Sequence, residues 1–234
     1  ARLGPLFGRL GRLDDAESKL RAALQCLADG PDRRSHGTTL VNLGYVQIQR
    51  GAFEQAVPLL HRALGLLDAV GDRLWCINAQ SNLAIAWAGS GQADDALRLL
   101  DDIGTRLNPS TDGYQWADHL LTCGRVRLMC GDAPGARTQL TEGLSFAQAQ
   151  ALHAAEIDLL DRLSEAEEGC GDLAAALAHQ RALRVAERRW LDEQTAGRVR
   201  VLQASIELAE QRAENKGLER LRAELEQRVQ ERTE

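Results

Sequence analysis

Small and apolar positions recur along this chain at one fixed interval. Gly11, Gly51, Gly91, Gly131 and Gly171 stand forty residues apart. Five residues after each comes Ala16, Ala56, Ala96, Ala136 or Ala176. Seven before each stands a small residue (Gly4, Gly44, Ala84, Gly124, Ser164), preceded by Leu3, Leu43, Leu83, Cys123 or Leu163. Nine after the glycine sit Leu20, Leu60, Leu100 and Leu140, with Gln180 breaking the series. Each unit reads as two helices joined by a tight turn. The glycine supplies the left-handed residue that ends the first helix. An acid opens the second: Asp14, with Glu17 three residues on as a capping box, then Asp94, Asp132 and Asp172. Small residues let the paired helices approach, and leucines fill the space around them. The prediction is an all-α fold, an array of about five helix-turn-helix repeats with a forty-residue period.

In chain order, residues 1–10 are the end of a first helix whose start is missing, and 13–28 form its partner. Repeat two runs from Arg33 to Val70, with Pro58 expected to remove a hydrogen bond from its second helix and kink it. Repeat three runs from Asp72 to Leu107. Repeat four runs from Asp112 to Ala149, with Pro134 in the permitted first turn. Repeat five begins near Leu152, and its second helix does not stop. From Leu173 to Glu234 there is no proline, a length that suggests a coiled coil. The chain therefore divides into a repeat domain, 1–188, and a coiled-coil helix, 189–234. Val199, Leu202, Ile206, Ala209 and Ala213 follow three-four spacing; Leu218, Leu221 and Leu225 resume it in a shifted frame. The break at Asn215-Lys216-Gly217 reads as a stutter. Apolar seams need a partner, so Val199, Leu202, Ile206, Leu218, Leu221 and Leu225 are expected to form a homodimer. The alternative is a lone solvated helix.

The turn glycine, the small residue of the first helix and the alanine of the second together resemble the tetratricopeptide (TPR) repeat, over about residues 1–185. The period exceeds that family's usual ~34 residues, which implies longer helices or loops. The resemblance implies a superhelical array that binds a peptide or protein segment on a concave face made by the first helices. Carried over repeat by repeat, the groove positions fall on Thr38, Val41, Asn42, Tyr45 and Ile48. They continue on Asn78, Ser81, Asn82 and Ile85, then on Asp118, Leu121 and Arg125. In repeat five they are Asp158, Asp161, Glu165 and Glu168. Asn42 and Asn82 occupy equivalent positions, where carboxamides can donate to and accept from a peptide backbone; they serve equally well as ordinary polar surface residues. The acids of repeat five share one helical stripe, which either attracts a basic segment or is a solvated face. The basic clamp that holds chaperone C-termini in some family members is absent.

Composition narrows the classes. The net charge is −6, so no basic footprint for nucleic acid exists. No apolar run reaches a membrane span and no signal peptide precedes the repeats, but the chain looks trimmed at its front. Cys26, Cys76, Cys123, Cys130 and Cys170 are odd in number and contain no C-x-x-C, which favours a reducing, cytoplasmic setting over a disulfide framework. His119 and Cys123 lie one helical turn apart, at metal-ligand spacing; without a third ligand, packing is the favoured reading and no metal or other cofactor is expected.

No phosphate loop, nucleophile elbow or H-E-x-x-H motif is present, and the chain is expected not to be an enzyme. The run from Trp190 to Glu234, ending Leu-Glu-Gln-Arg-Val-Gln-Glu-Arg-Thr-Glu, resembles the signalling helices that join sensors to output domains in bacterial multidomain proteins. The whole arrangement resembles the sensor half of TPR-GGDEF proteins of the diguanylate cyclase type, which make cyclic-di-GMP. That resemblance implies a bacterial regulatory module controlling an output domain outside this chain. A histidine kinase or cyclic-di-GMP phosphodiesterase output, or a stand-alone TPR scaffold, are the alternatives. No GGDEF motif stands in this sequence, so no catalytic residue is assigned.

Overall fold

A computed structural model describes the backbone of residues 13–27 and 30–233, with the side chains of these except 210, 213, 214 and 220–233. The helix expected at 1–10, with Leu3, Gly4 and Gly11, lies outside the described residues, as do the side chains of Leu221 and Leu225. The described residues form helices and no strand: α1 (Leu13–Leu27), α2 (Arg33–Gln49), α3 (Phe53–Asp68), α4 (Arg73–Gly89), α5 (Ala93–Arg106), α6 (Gly113–Met129), α7 (Ala133–Ala149), α8 (His153–Gly169) and α9 (Leu173–Thr233). The chain separates into two units, residues up to 184 and residues 185–234.

In the first unit the repeat arises from the turn. Gly51, Gly91, Gly131 and Gly171 adopt φ of 72°, 83°, 78° and 81°. The amide after each glycine donates to the carbonyl five residues back: Ala52 to Gln47 (2.9 Å), Gln92 to Trp87 (2.8 Å), Asp132 to Arg127 (2.9 Å) and Asp172 to Glu167 (2.9 Å). This Schellman closure satisfies helix-end carbonyls and needs the left-handed residue that glycine supplies. The added length of the repeat lies in the helices, since α2, α4, α6, α7 and α8 each hold 17 residues.

Behind the turn the two helices interlock. Ala56, Ala96 and Ala136 are fully buried, as are Leu60, Leu100 and Leu140. Leu60 lies over Gly44 and Leu140 over Gly124. Burying each such leucine contributes roughly 1.5–3 kcal/mol. Along the series α1 to α8 each helix packs on the next, and α2 also touches α4, α4 touches α6 and α6 touches α8. The first helices of repeats two to five thus make one continuous layer.

Aspartate caps fix where α2, α4, α7 and α9 begin. Asp32 accepts from the Ser35 amide (3.0 Å) and Asp72 from the Trp75 amide (3.2 Å). In the second-helix series Asp132 caps α7 and Asp172 accepts from the Ala175 amide at 3.0 Å. Two expected caps differ. The cap of α5 is Gln92, and Asp94 stands inside its first turn, where it meets the helix dipole instead. Glu17 bonds Arg21 and lies 3.1 Å from Arg50, stitching α1 to the end of α2. Pro58 is solvent-facing and α3 runs through it without interruption. Pro134 sits in the first turn of α7.

Arginines link successive repeats. Arg34 of α2 bonds the capping Asp72 at 2.6 Å, and Arg73 of α4 bonds Asp112 at 3.2 Å. Repeat five opens on Leu152, which has no carboxylate to continue the series.

In the second unit α9 exposes Val185, Leu191, Val199, Leu202, Ile206, Leu208 and Leu218. The helix passes through Asn215, Lys216 and Gly217 unbroken. A shallow groove runs past Leu191, Thr195, Ala196 and Val199. Among the described residues no helix is long and apolar enough to cross a membrane.

Candidate functional site

Stacking four first helices leaves a cleft of about 360 Å³ between them. The helical period turns one stripe of each helix into it. Helix α2 supplies Val41, Asn42 and Tyr45, and α4 supplies Asn78, Ser81, Asn82 and Ile85. Helix α6 adds Asp118, Leu121 and Arg125, and α8 adds Asp158 and Asp161. The structure thus brings together every groove position in the expected set except four. Thr38 donates to the Ser35 carbonyl instead (3.1 Å). Ile48 is 2 % exposed and belongs to the hydrophobic core. Glu165 and Glu168 are exposed beside the cleft; Glu165 pairs with Arg162, and Glu168 accepts from Gln180 at 3.5 Å. Sequence spacing missed Gln49, Tyr114 and Thr122, which line the walls together with Arg162, the other arginine expected on this face. Tyr114 lies in the opening turn of α6, one helical turn before Asp118, and could have been found by extending the stripe backwards.

The cleft is polar and unevenly charged. At the α2–α4 end it offers carboxamides and hydroxyls, with Asn82 donating to Asn78 at 3.3 Å. Ser81 and Asn82 are nearly buried, at 4 % and 7 % exposure. At the α6–α8 end it carries Asp118, Asp158 and Asp161 with Arg125 and Arg162. Arg162 is neutralised by Asp161 (3.2 Å) and by Glu165. Half of the repeat-five acidic stripe is therefore paired within its own helix. Arg125 differs: among the described residues no hydrogen bond or ion pair reaches it. Burial lowers the pKa of its guanidinium, and nearby Arg162 pushes the same way, while Tyr45 and Glu165 oppose them.

His119 and Cys123 face elsewhere, into a second cavity of about 370 Å³ lined by Gly104, Trp116 and Arg127. Cys123 Sγ lies 3.5 Å from His119 Nε2. The rings of Trp116 and His119 are 5.5 Å apart, and Gly104 leaves room for the imidazole. Burial raises the Cys123 thiol to about 12 and lowers the His119 imidazole. No metal-ligating group of three or more residues occurs among the described residues. The pair packs as part of the helix interface.

The repeated helix pairs, Schellman turns and continuous layer of first helices define a TPR-like repeat fold. Solved structures share it. One is the nearly identical TPR-like repeats of a kinesin light chain-like protein from Podosopora anserina, at TM-score 0.53 and 16 % identity over 81 % of this chain and 93 % of that one. Another is BtubC (BKLC) from P. vanneervenii, at TM-score 0.56 and 18 % identity over 80 % of this chain and 78 % of that one. No protein-family model matches the chain. No curated protein matches it in sequence.

Proposed function

We propose that this chain is a non-catalytic regulatory module that holds an extended peptide or protein segment in the cleft of its first helices. The observation that carries the reading is the cleft itself. Four successive helices place Asn42, Asn82, Tyr45, Arg125 and Asp158 around one trough. Carboxamides on neighbouring repeats suit the alternating donors and acceptors of an extended backbone. Two solved repeat proteins of this fold, described as a kinesin light chain-like protein and as BtubC, support an interaction role by analogy of architecture.

In this reading α9 makes a homodimer through Val199, Leu202, Ile206, Leu218, Leu221 and Leu225, and passes the bound state to an output domain of the GGDEF diguanylate cyclase type. Ligand must then prefer one packing of the α9 pair over another. The stutter at Asn215–Gly217 supplies two registers to choose between. The exposed apolar residues of α9 equally suit the partner helix of a stand-alone scaffold, which is the second reading.

Sedimentation equilibrium at high micromolar concentration separates the two. A mass of twice 25.6 kDa supports the homodimer, and a single-chain mass that doubles only with another protein supports the scaffold. Binding of degenerate peptide pools tests the cleft; no retention of any pool by the full chain removes the peptide-binding reading.

A further inference from the structure

We infer that Arg125 is the anchor for an internal acidic side chain of the segment held in the cleft. This rests on the peptide-binding reading above and adds the chemistry of the ligand. Three arginines are half-buried among the described residues: Arg125, Arg127 and Arg162. Arg127 bonds Asp132 at 2.7 Å, and Arg162 is held by Asp161 and Glu165. Only Arg125 has no such counter-ion, although it lines the cleft. A guanidinium cannot relieve its burial by losing its proton, so a carboxylate brought by the ligand would supply the hydrogen-bonded partner it lacks. The planar fork of arginine matches a carboxylate with two parallel hydrogen bonds.

The position of Arg125 selects an internal side chain over a chain terminus. The cleft continues past it on both sides, to Asn42 and Asn82 one way and to Asp158 and Asp161 the other. A terminal carboxylate would end the ligand there and leave one half unfilled. The segment is therefore acidic at Arg125 and uncharged along α2 and α4.

The test uses the full chain and three seven-residue pools, otherwise degenerate. Two are N-acetylated and C-amidated, with Glu or Gln fixed at the centre; the third ends in a free carboxylate. A charge-assisted pair should make the Glu pool bind about tenfold better than the Gln pool. Arg125→Met should erase the ratio without lowering Tm, and Arg125→Lys should keep part of it. Equal binding of the Glu and Gln pools, or an advantage for the free-carboxylate pool, overturns this inference and leaves the peptide groove standing. Failure of all three pools removes both.

Discussion

Gly124 lies so close beneath Leu140 that a Cβ built on it would stand 2.4 Å from Leu140 Cγ. The same relation joins Gly44 to Leu60, at 2.9 Å. Repeat three carries Ala84 in place of the glycine, and both Ala84 and Leu100 are buried. The gap between paired helices is thus set separately in each repeat, within one methyl group. Gly124→Ala should overpack the α6–α7 contact and cost about 1–3 kcal/mol, even though alanine is the better helix former. Urea unfolding followed by circular dichroism checks this. A gain in stability would mean that α6 and α7 can separate freely.

Ala151 is the sole non-glycine residue at positive φ among the described residues, at 52°. It closes α7 where the matching turn of repeat two uses Gly71, at 67°. A left-handed alanine carries a Cβ clash of roughly 1 kcal/mol. Ala151→Gly should therefore raise stability by up to about 1 kcal/mol, less the extra freedom glycine gives the unfolded chain. An unchanged or lower midpoint in urea would contradict it.

His119 titrates where it can be seen. Burial lowers its pKa, against the opposing fields of Asp118 and Asp101. Around it stand Cys123, Arg127 and Glu142. Since the unfolded chain binds a proton more readily than the folded one, the contribution is complete above the unfolded pKa of about 6.5 and is lost as pH falls below it. Tm should drop between pH 7.5 and pH 5.5, and His119→Gln should flatten that slope. The capping carboxylates act lower. Asp32, Asp112 and Asp132 are held below the usual carboxylate range by Ser35, by Arg73 and by the Gly135 amide with Arg127. Their share persists above pH 4 and disappears on further acidification.

Thiol labelling reports the same interior. Cys26 and Cys130 are exposed, while Cys123 is buried with its thiol raised to about 12. Only the thiolate reacts, so iodoacetamide at pH 8 should modify Cys26 first, then Cys130, whose accessible thiol is also raised by partial burial, and reach Cys123 only after denaturation. Peptide mass mapping distinguishes the sites. Early labelling of Cys123 would place the α6 interface in frequent local opening.

The repeat was legible because its steric demands fall on single residues. A left-handed turn, a close approach and a filled gap each leave a mark at a fixed position, as at Gly131, Gly124 and Leu140. The cleft stripe was legible through the TPR resemblance, whose groove offsets from the turn glycine fall on Asn42, Asn82 and Arg125. What escaped was anything decided between repeats. Arg34 finds Asp72, and Arg73 finds Asp112, across nearly a whole period. Spacing cannot show that Arg162 is neutralised while Arg125 is not, because that depends on which acids their neighbours leave over. Asp94 failed as a cap for a local reason, as α5 begins before it.

The layer of touching first helices also sets a metre for whatever lies along it. Packed helices sit about 8–10 Å apart, and an extended chain advances about 3.3 Å per residue. Each repeat therefore keeps step with about three ligand residues. Asn42 and Asn82, one repeat apart, would meet the ligand at the same beat of successive triplets, and so tolerate a slide of three residues better than a slide of one.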